Sequence, residues 1–318
     1  KRQIKIKHNI KVTLLLIAMF LVTQLIGLAV IYSYTPIVQQ VEINGTLQNV
    51  TVNPLPYGLE PPEVEKEISL ISIIFAFIIA IFFVFLLTKL KAALFIRLWF
   101  FIVVIIVLAI TFNALLSWFV PYKFYPEVIS LVIALPLAIY KIFKRNLIVH
   151  NITELLIYPG IAVVFVPLLN VWTIVILLII ISVYDIWAVW HSEFMQKMAK
   201  YQINELKLFA GFFVPYLNKK QRELVREAKA KKSKLKKSMK VNLAILGGGD
   251  VVFPIITAGV IFRSLGLIPA LIVSLFATIS LFVLFVFAKK GKFYPAMPFI
   301  TAGLLIGIGL AYLISFII

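Results

Sequence analysis

Long, uninterrupted apolar runs constrain this chain more than any other feature. Nine stretches stand out, near residues 12–34, 68–88, 98–120, 126–141, 147–168, 170–190, 241–262, 264–288 and 293–318. Most approach the roughly 20 apolar residues that cross about 30 Å of hydrocarbon. The fourth is short and interrupted by Pro136, and only Leu169 and Asn170 separate the fifth from the sixth. A water-soluble fold is excluded, because 62% of the chain is hydrophobic and only 14% charged, whereas soluble domains are about 25% charged. The expected fold is an all-α polytopic membrane protein of nine transmembrane helices.

The net charge of +18 reads differently in a membrane chain than in a soluble one. Lys and Arg concentrate in cytoplasmic loops and set orientation. With the N-terminus inside, only Lys66, Lys123 and Arg263 of the 31 basic residues fall outside, leaving 28 inside. That asymmetry predicts a cytoplasmic N-terminus and an outside C-terminus. The outside segment 35–67 is acidic and proline-rich, and Asn44-Gly45-Thr46 and Asn49-Val50-Thr51 match the glycosylation acceptor pattern.

The longest segment between spans, 191–240, ends in a Lys/Arg-rich stretch from Lys219 to Lys240. Contact with anionic membrane lipid is the expected role, and no nucleic-acid partner is expected. Within it, Phe209 to Pro215 is apolar yet far too short to span, so it is expected to lie in the interface or plug a cavity. No internal repeat relates the two halves of the chain, which argues against an inverted-repeat transporter.

With no cysteine, thiolate chemistry and Cys-ligated metals are excluded, and three histidines (His8, His150, His191) do not make a zinc site. No metal or cofactor is expected. Neither His-Glu-x-x-His nor Gly-x-Ser-Gly occurs, so the zinc and serine types of membrane protease are excluded. The acids are more informative. Eleven of thirteen are glutamates, and all but Glu154 lie in loops or at span ends. The two aspartates, Asp185 and Asp250, both sit inside apolar spans. An ionisable group at membrane depth costs several kcal/mol and is a functional candidate by default.

Asp185 lies about five residues from the inside end of the sixth span, roughly 8 Å at 1.5 Å per residue. Asp250 lies about nine residues past the inside start of the seventh span, roughly 14 Å. Consecutive antiparallel helices thus carry both acids in the cytoplasmic half, able to face each other. Two adjacent carboxylates share a proton near neutral pH, because like charges cannot both ionise readily. Such a pair can hold a water, with the ionised member taking its proton and the protonated member bonding a substrate carbonyl. It can equally serve as a proton relay or ion site in a transporter. On the aspartates alone, both readings stay open.

The neighbouring residues bear on that choice. Asp185 follows Tyr184, Asp250 closes Gly247-Gly248-Gly249-Asp250, and the ninth span opens with Pro295-Ala296-Met297-Pro298. In this the chain resembles the presenilin and signal peptide peptidase family of GxGD intramembrane aspartyl proteases. That family carries Tyr-Asp in the sixth of nine spans, Gly-x-Gly-Asp in the seventh and Pro-Ala-Leu at the start of the ninth. The resemblance implies that Asp185 and Asp250 form the catalytic dyad, with Tyr184 supporting the first. It makes Gly247 and Gly249 the motif glycines, with Gly248 at the variable position, and Pro295, Ala296 and Met297 the substrate-positioning motif. Met297 departs from the usual leucine, a swap of similar volume. The expected division is a scaffold over 1–169 and a catalytic portion over 170–318. The expected substrates are transmembrane-helix proteins, cut in a prokaryotic cell membrane. No obligatory partner subunit is expected, and the oligomeric state stays open.

Overall fold

The structure, a computed structural model, describes residues 10–43, 46–52, 55–58, 66–89, 92–121, 124–144, 146–190, 210–216, 221, 242–288 and 294–317. Lys1 to Asn9 and the basic stretch from Lys219 to Lys240, apart from Gln221, lie outside the described residues, as does Asn44 of the first acceptor pattern.

Nine helices are present among the described residues. They are α1 (Ile10–Ser33), α2 (Lys66–Lys89), α3 (Ala93–Leu116), α4 (Pro126–Ile139), α5 (Leu147–Phe165), α6 (Val171–Trp190), α7 (Gly249–Leu265), α8 (Leu267–Phe287) and α9 (Met297–Ile317). Seven are long and apolar enough to cross a membrane: α1, α3, α4 with its π-helical extension to Lys144, α5 with its 3-10 extension to Leu168, α6, α8 and α9. Large apolar side chains such as Trp99, Trp172 and Phe316 face outward. With no water to replace lost backbone hydrogen bonds in lipid, helices are the natural spanning element here.

Local chemistry sets the helix ends. Between α5 and α6, Asn170 Oδ1 accepts from Thr173 N–H at 2.8 Å, while Thr173 Oγ1 accepts from Asn170 N–H at 2.8 Å. This reciprocal cap satisfies two N-terminal backbone donors, and it turns the narrow Leu169-Asn170 boundary into a sharp break. Gly266, at φ +94°, is the one-residue joint between α7 and α8. A side chain is strained there, and glycine is not.

α1 packs against α5, α7 and α8, and α6 and α9 pack on each other. Gly303 and Gly307, four apart on α9, lie against Phe276 and Val273 of α8, where a methyl at Gly307 would stand 3.0 Å from Val273 Cα. Small residues at this spacing let membrane helices approach closely, which is what holds them together in lipid.

Two antiparallel ribbons interrupt the helices, where an all-α fold was expected. β1 (Ile37–Ile43) pairs with β2 (Thr46–Val52), placing Asn49 opposite Gln40. β3 (Gly211–Tyr216) pairs with β4 (Asn242–Gly247), with Gly211 opposite Gly247 and Phe213 opposite Ile245. This second ribbon corrects two expectations. Within the apolar Phe209–Pro215 segment, residues 211–214 are buried in β3 and packed on α1 and α5, rather than lying in the interface. Residues 242–247 are likewise strand rather than the start of the helix expected there, which opens at Gly249. Three successive glycines disfavour helix, and alternate burial at Ala244 and Leu246, with Leu243 and Ile245 exposed, is the two-residue period of a strand.

Candidate active site

Asp185 sits five residues before the end of α6, 9% exposed. Its Oδ2 accepts the Met297 backbone N–H at 3.0 Å, and the Ala296 N–H also donates to the carboxylate. The first backbone donors of a helix have no partner within it and suit an anion. Pro295 precedes this turn, and Pro298 occupies it without cost, since its missing N–H is not needed there. The Pro295-Ala296-Met297 motif therefore reaches Asp185 through its main chain. One turn along each helix, Ser182 Oγ donates to Thr301 Oγ1 at 2.8 Å, a buried brace between α6 and α9.

Asp250 occupies the first turn of α7 rather than a position nine residues inside it, because β4 takes up the residues before it. Its carboxylate lies beside the Gly247 main chain and within electrostatic range of Asp185. A methyl added at Gly247 would stand 3.2 Å from Asp250 Oδ2, tight enough to displace the carboxylate. Gly249 is exposed and would meet only Phe253, at 3.9 Å. Asp250 opens onto a cavity of about 250 Å³, walled by Leu243 and Ile245 of β4, by Leu281 and Phe285 of α8, and by Ala296.

The structure thus brings together Asp185, Asp250, Gly247, Ala296 and Met297. Tyr184 is placed differently: it is 42% exposed, and its ring meets Trp187 at 6.4 Å. Among the described residues no hydrogen bond links it to Asp185.

Sequence reasoning missed the support beneath the ribbon. Asn151 of α5 donates to the Phe213 carbonyl at 2.8 Å and accepts the Phe213 N–H at 3.0 Å, so one amide serves both backbone groups of a strand residue. His150 Nε2 meets the Gly211 carbonyl at 2.8 Å. Glu154, the one glutamate inside a span, pairs with buried Lys141 and lies 3.7 Å from His150 Nε2. Lys141, counted from sequence among the cytoplasmic loop charges, is instead 7% exposed and turned inward in the π-helical segment Tyr140–Lys144. The signal available was the stripe His150, Glu154, Tyr158 at every fourth residue.

The family profile described as "Signal-peptide peptidase, presenilin aspartyl protease" matches residues 59–318. The chain belongs to this family. Two solved structures, both described as a presenilin family intramembrane aspartate protease, share its fold. One, in space group C222, superposes with a TM-score of 0.59 at 18% identity, covering 95% of this chain and 99% of its own. The other, in space group P2, gives 0.57 at 18% identity, covering 95% and 97%. Among curated proteins, none matches. The protein is an aspartic intramembrane protease and a multi-pass membrane protein. Neither the family nor the structural likeness supports the alternative of a proton- or ion-coupled transporter.

Proposed function

We propose that the protein hydrolyses peptide bonds within the transmembrane helices of single-span membrane proteins, using a water held between Asp185 and Asp250. The observation that carries the reading is their placement: within electrostatic range of each other on α6 and α7, with Asp250 open to the cavity. The ionised carboxylate takes a proton from the water, and the water oxygen attacks the scissile carbonyl. The protonated carboxylate hydrogen-bonds the carbonyl oxygen as it becomes tetrahedral. Collapse then breaks the C–N bond, with a proton delivered to the leaving amine. Asp185, held by the first turn of α9, and Asp250, beside the Gly247 main chain, are both fixed before substrate arrives, so little reorganisation is needed in the transition state.

Water must reach this pair. α7, with 17 residues, is only about 26 Å long, shorter than the hydrocarbon core. Non-helical backbone at membrane depth is tolerated where it is covered by protein or lines a wet cavity, which is the setting of β4. On this reading all nine helices cross the membrane, and residues 170–318 form the catalytic portion on a 1–169 scaffold. The 28-to-3 basic split favours a cytoplasmic N-terminus, hence substrates whose N-terminus is outside. The single chain acts without a partner subunit, in a prokaryotic cell membrane.

The purified protein, given a reporter transmembrane helix, is expected to cut within the helix. A peptide mimic carrying a hydroxyl at the scissile position is expected to inhibit, since it places a tetrahedral oxygen between the carboxyls. Cleavage abolished by EDTA and restored by zinc, or no inhibition by the hydroxyl mimic, contradicts the proposal.

A further inference from the structure

Of the three glycines before Asp250, the middle one has no conformational reason to be glycine. Gly248 has φ −64° and ψ −34°, ordinary right-handed backbone open to any residue. The demand on it is steric. A methyl added at Gly248 would stand 2.8 Å from the Tyr158 hydroxyl oxygen, 3.0 Å from Cε1 and 3.2 Å from Cζ. The bulk missing at position 248 is supplied by α5.

Tyr158 cannot easily yield. It is 2% exposed, and its ring meets buried Phe212 of β3 edge-on, with centroids 5.7 Å apart. Interiors this close-packed transmit displacement rather than absorb it. Its hydroxyl makes no hydrogen bond of good geometry among the described residues, and Glu154 and Asp250 are the acids acting on it. Along the same face of α5, Glu154 is tied to Lys141, while His150 and Asn151 hold the β3 backbone. β3 in turn fixes β4 by the ladder and, through the Ala210 carbonyl, the Gly248 N–H at 3.1 Å. Gly248 is therefore gripped from two sides: main chain by the ribbon, open face by Tyr158.

We propose that Tyr158 is a positioning residue: its phenol, seated on Gly248, sets the path of the Gly247–Asp250 turn and so the place of the Asp250 carboxyl opposite Asp185. The proposal rests on the dyad reading above. Tyr158 acts through Gly248, and no contact with substrate is required of it.

The test is a double-mutant cycle on the full-length purified protein, with kcat and KM measured separately on a reporter helix. Gly248→Ala is expected to lower kcat about tenfold or more at little changed KM, the scale of coupling between residues in contact. Tyr158→Leu is expected to lower kcat as well, while Tyr158→Phe, which keeps the ring, stays near wild type. Gly248→Ala combined with Tyr158→Leu is expected to regain most of the activity that Gly248→Ala loses, since the methyl then has room. Wild-type kcat in Gly248→Ala, or a double variant no better than Gly248→Ala alone, overturns the proposal. Should Gly248→Ala fail to fold, Tyr158→Leu decides: reduced kcat at constant KM supports the role, and unchanged kcat overturns it. Asp185→Asn is run alongside. If it still cleaves, the dyad reading fails; if it is dead and rescue is absent, only the role of Tyr158 falls.

Discussion

The Pro295-Ala296-Met297 motif makes its contact with Asp185 through backbone, and this can be separated from its side chains. Met297 donates its N–H to Asp185 Oδ2 at 3.0 Å, while its own side chain is buried in the core. Met297→Pro deletes that donor at the first helical residue, where proline's fixed φ suits the helix and no internal bond is lost. Met297→Leu keeps the donor and changes the volume little. A hydrogen bond to a charged group contributes about 1.5–3 kcal/mol, so its loss corresponds to about 10- to 150-fold in rate if the carboxylate must hold its place in the transition state. The Ala296 N–H remains, which keeps the expectation toward the lower half of that range. Leucine is expected to cost less than about 1.5 kcal/mol in stability and to leave kcat nearly unchanged. The assay is kcat on a reporter helix, beside thermal unfolding in detergent. Equal activity of the proline and leucine variants, with both folded, would refute a backbone role for the motif.

Other expectations follow from the same contacts. Asn151→Ala removes two hydrogen bonds to the Phe213 backbone, each contributing about 0.5–1.5 kcal/mol, and is expected to lower the unfolding temperature and cut activity together; an unchanged melting curve contradicts the clamp. Glu154→Gln strands the Lys141 charge in the interior and is expected to destabilise by about 3–5 kcal/mol, whereas replacing both by apolar residues of similar size recovers most of it in the same unfolding measurement. The pH–rate profile of kcat/KM is expected to be bell-shaped, its two limbs belonging to the carboxyl pair as a unit; a profile flat from pH 4 to 8 would rule out a shared proton. An added glycosylation acceptor after Ile318 is expected to be modified in a glycosylating membrane, and one near Lys231 to stay bare; the reverse pattern inverts the substrate orientation but leaves the dyad in place.

The legible parts of this protein were those where apolarity and charge speak without tertiary context. Asp185 and Asp250 stood out because carboxylates are costly at membrane depth, and their short motifs pointed to the family now shown by the match over residues 59–318. β4 was not legible, because the apolar run Leu243-Ala244-Ile245-Leu246 is short and the three glycines after it read as part of a motif inside a span rather than as its boundary. A short apolar run has the same composition in either state, and periodicity alone does not separate them. Its partner β3 lies across a basic segment, so nothing local announced the pairing. Depth arithmetic for Asp250 failed for this reason, while that for Asp185, on an unbroken helix, placed it five residues from the end of α6 as the structure does. The burial of Lys141 was not legible, because a lysine at a span end normally reaches for water; here the π-helical turn and Glu154 draw it inward.

On the proposed mechanism, cleavage depends on two carboxyl groups doing acid–base chemistry as one unit. Its most direct test is the cleavage rate of a reporter transmembrane helix by purified Asp185→Asn and Asp250→Asn variants that unfold at the wild-type temperature. Asparagine keeps shape and hydrogen bonding but cannot take or give the proton, so each variant is expected to lose cleavage entirely, and the pair together to lose no more than either alone. Near-normal cleavage by either folded variant would contradict the two-aspartate mechanism.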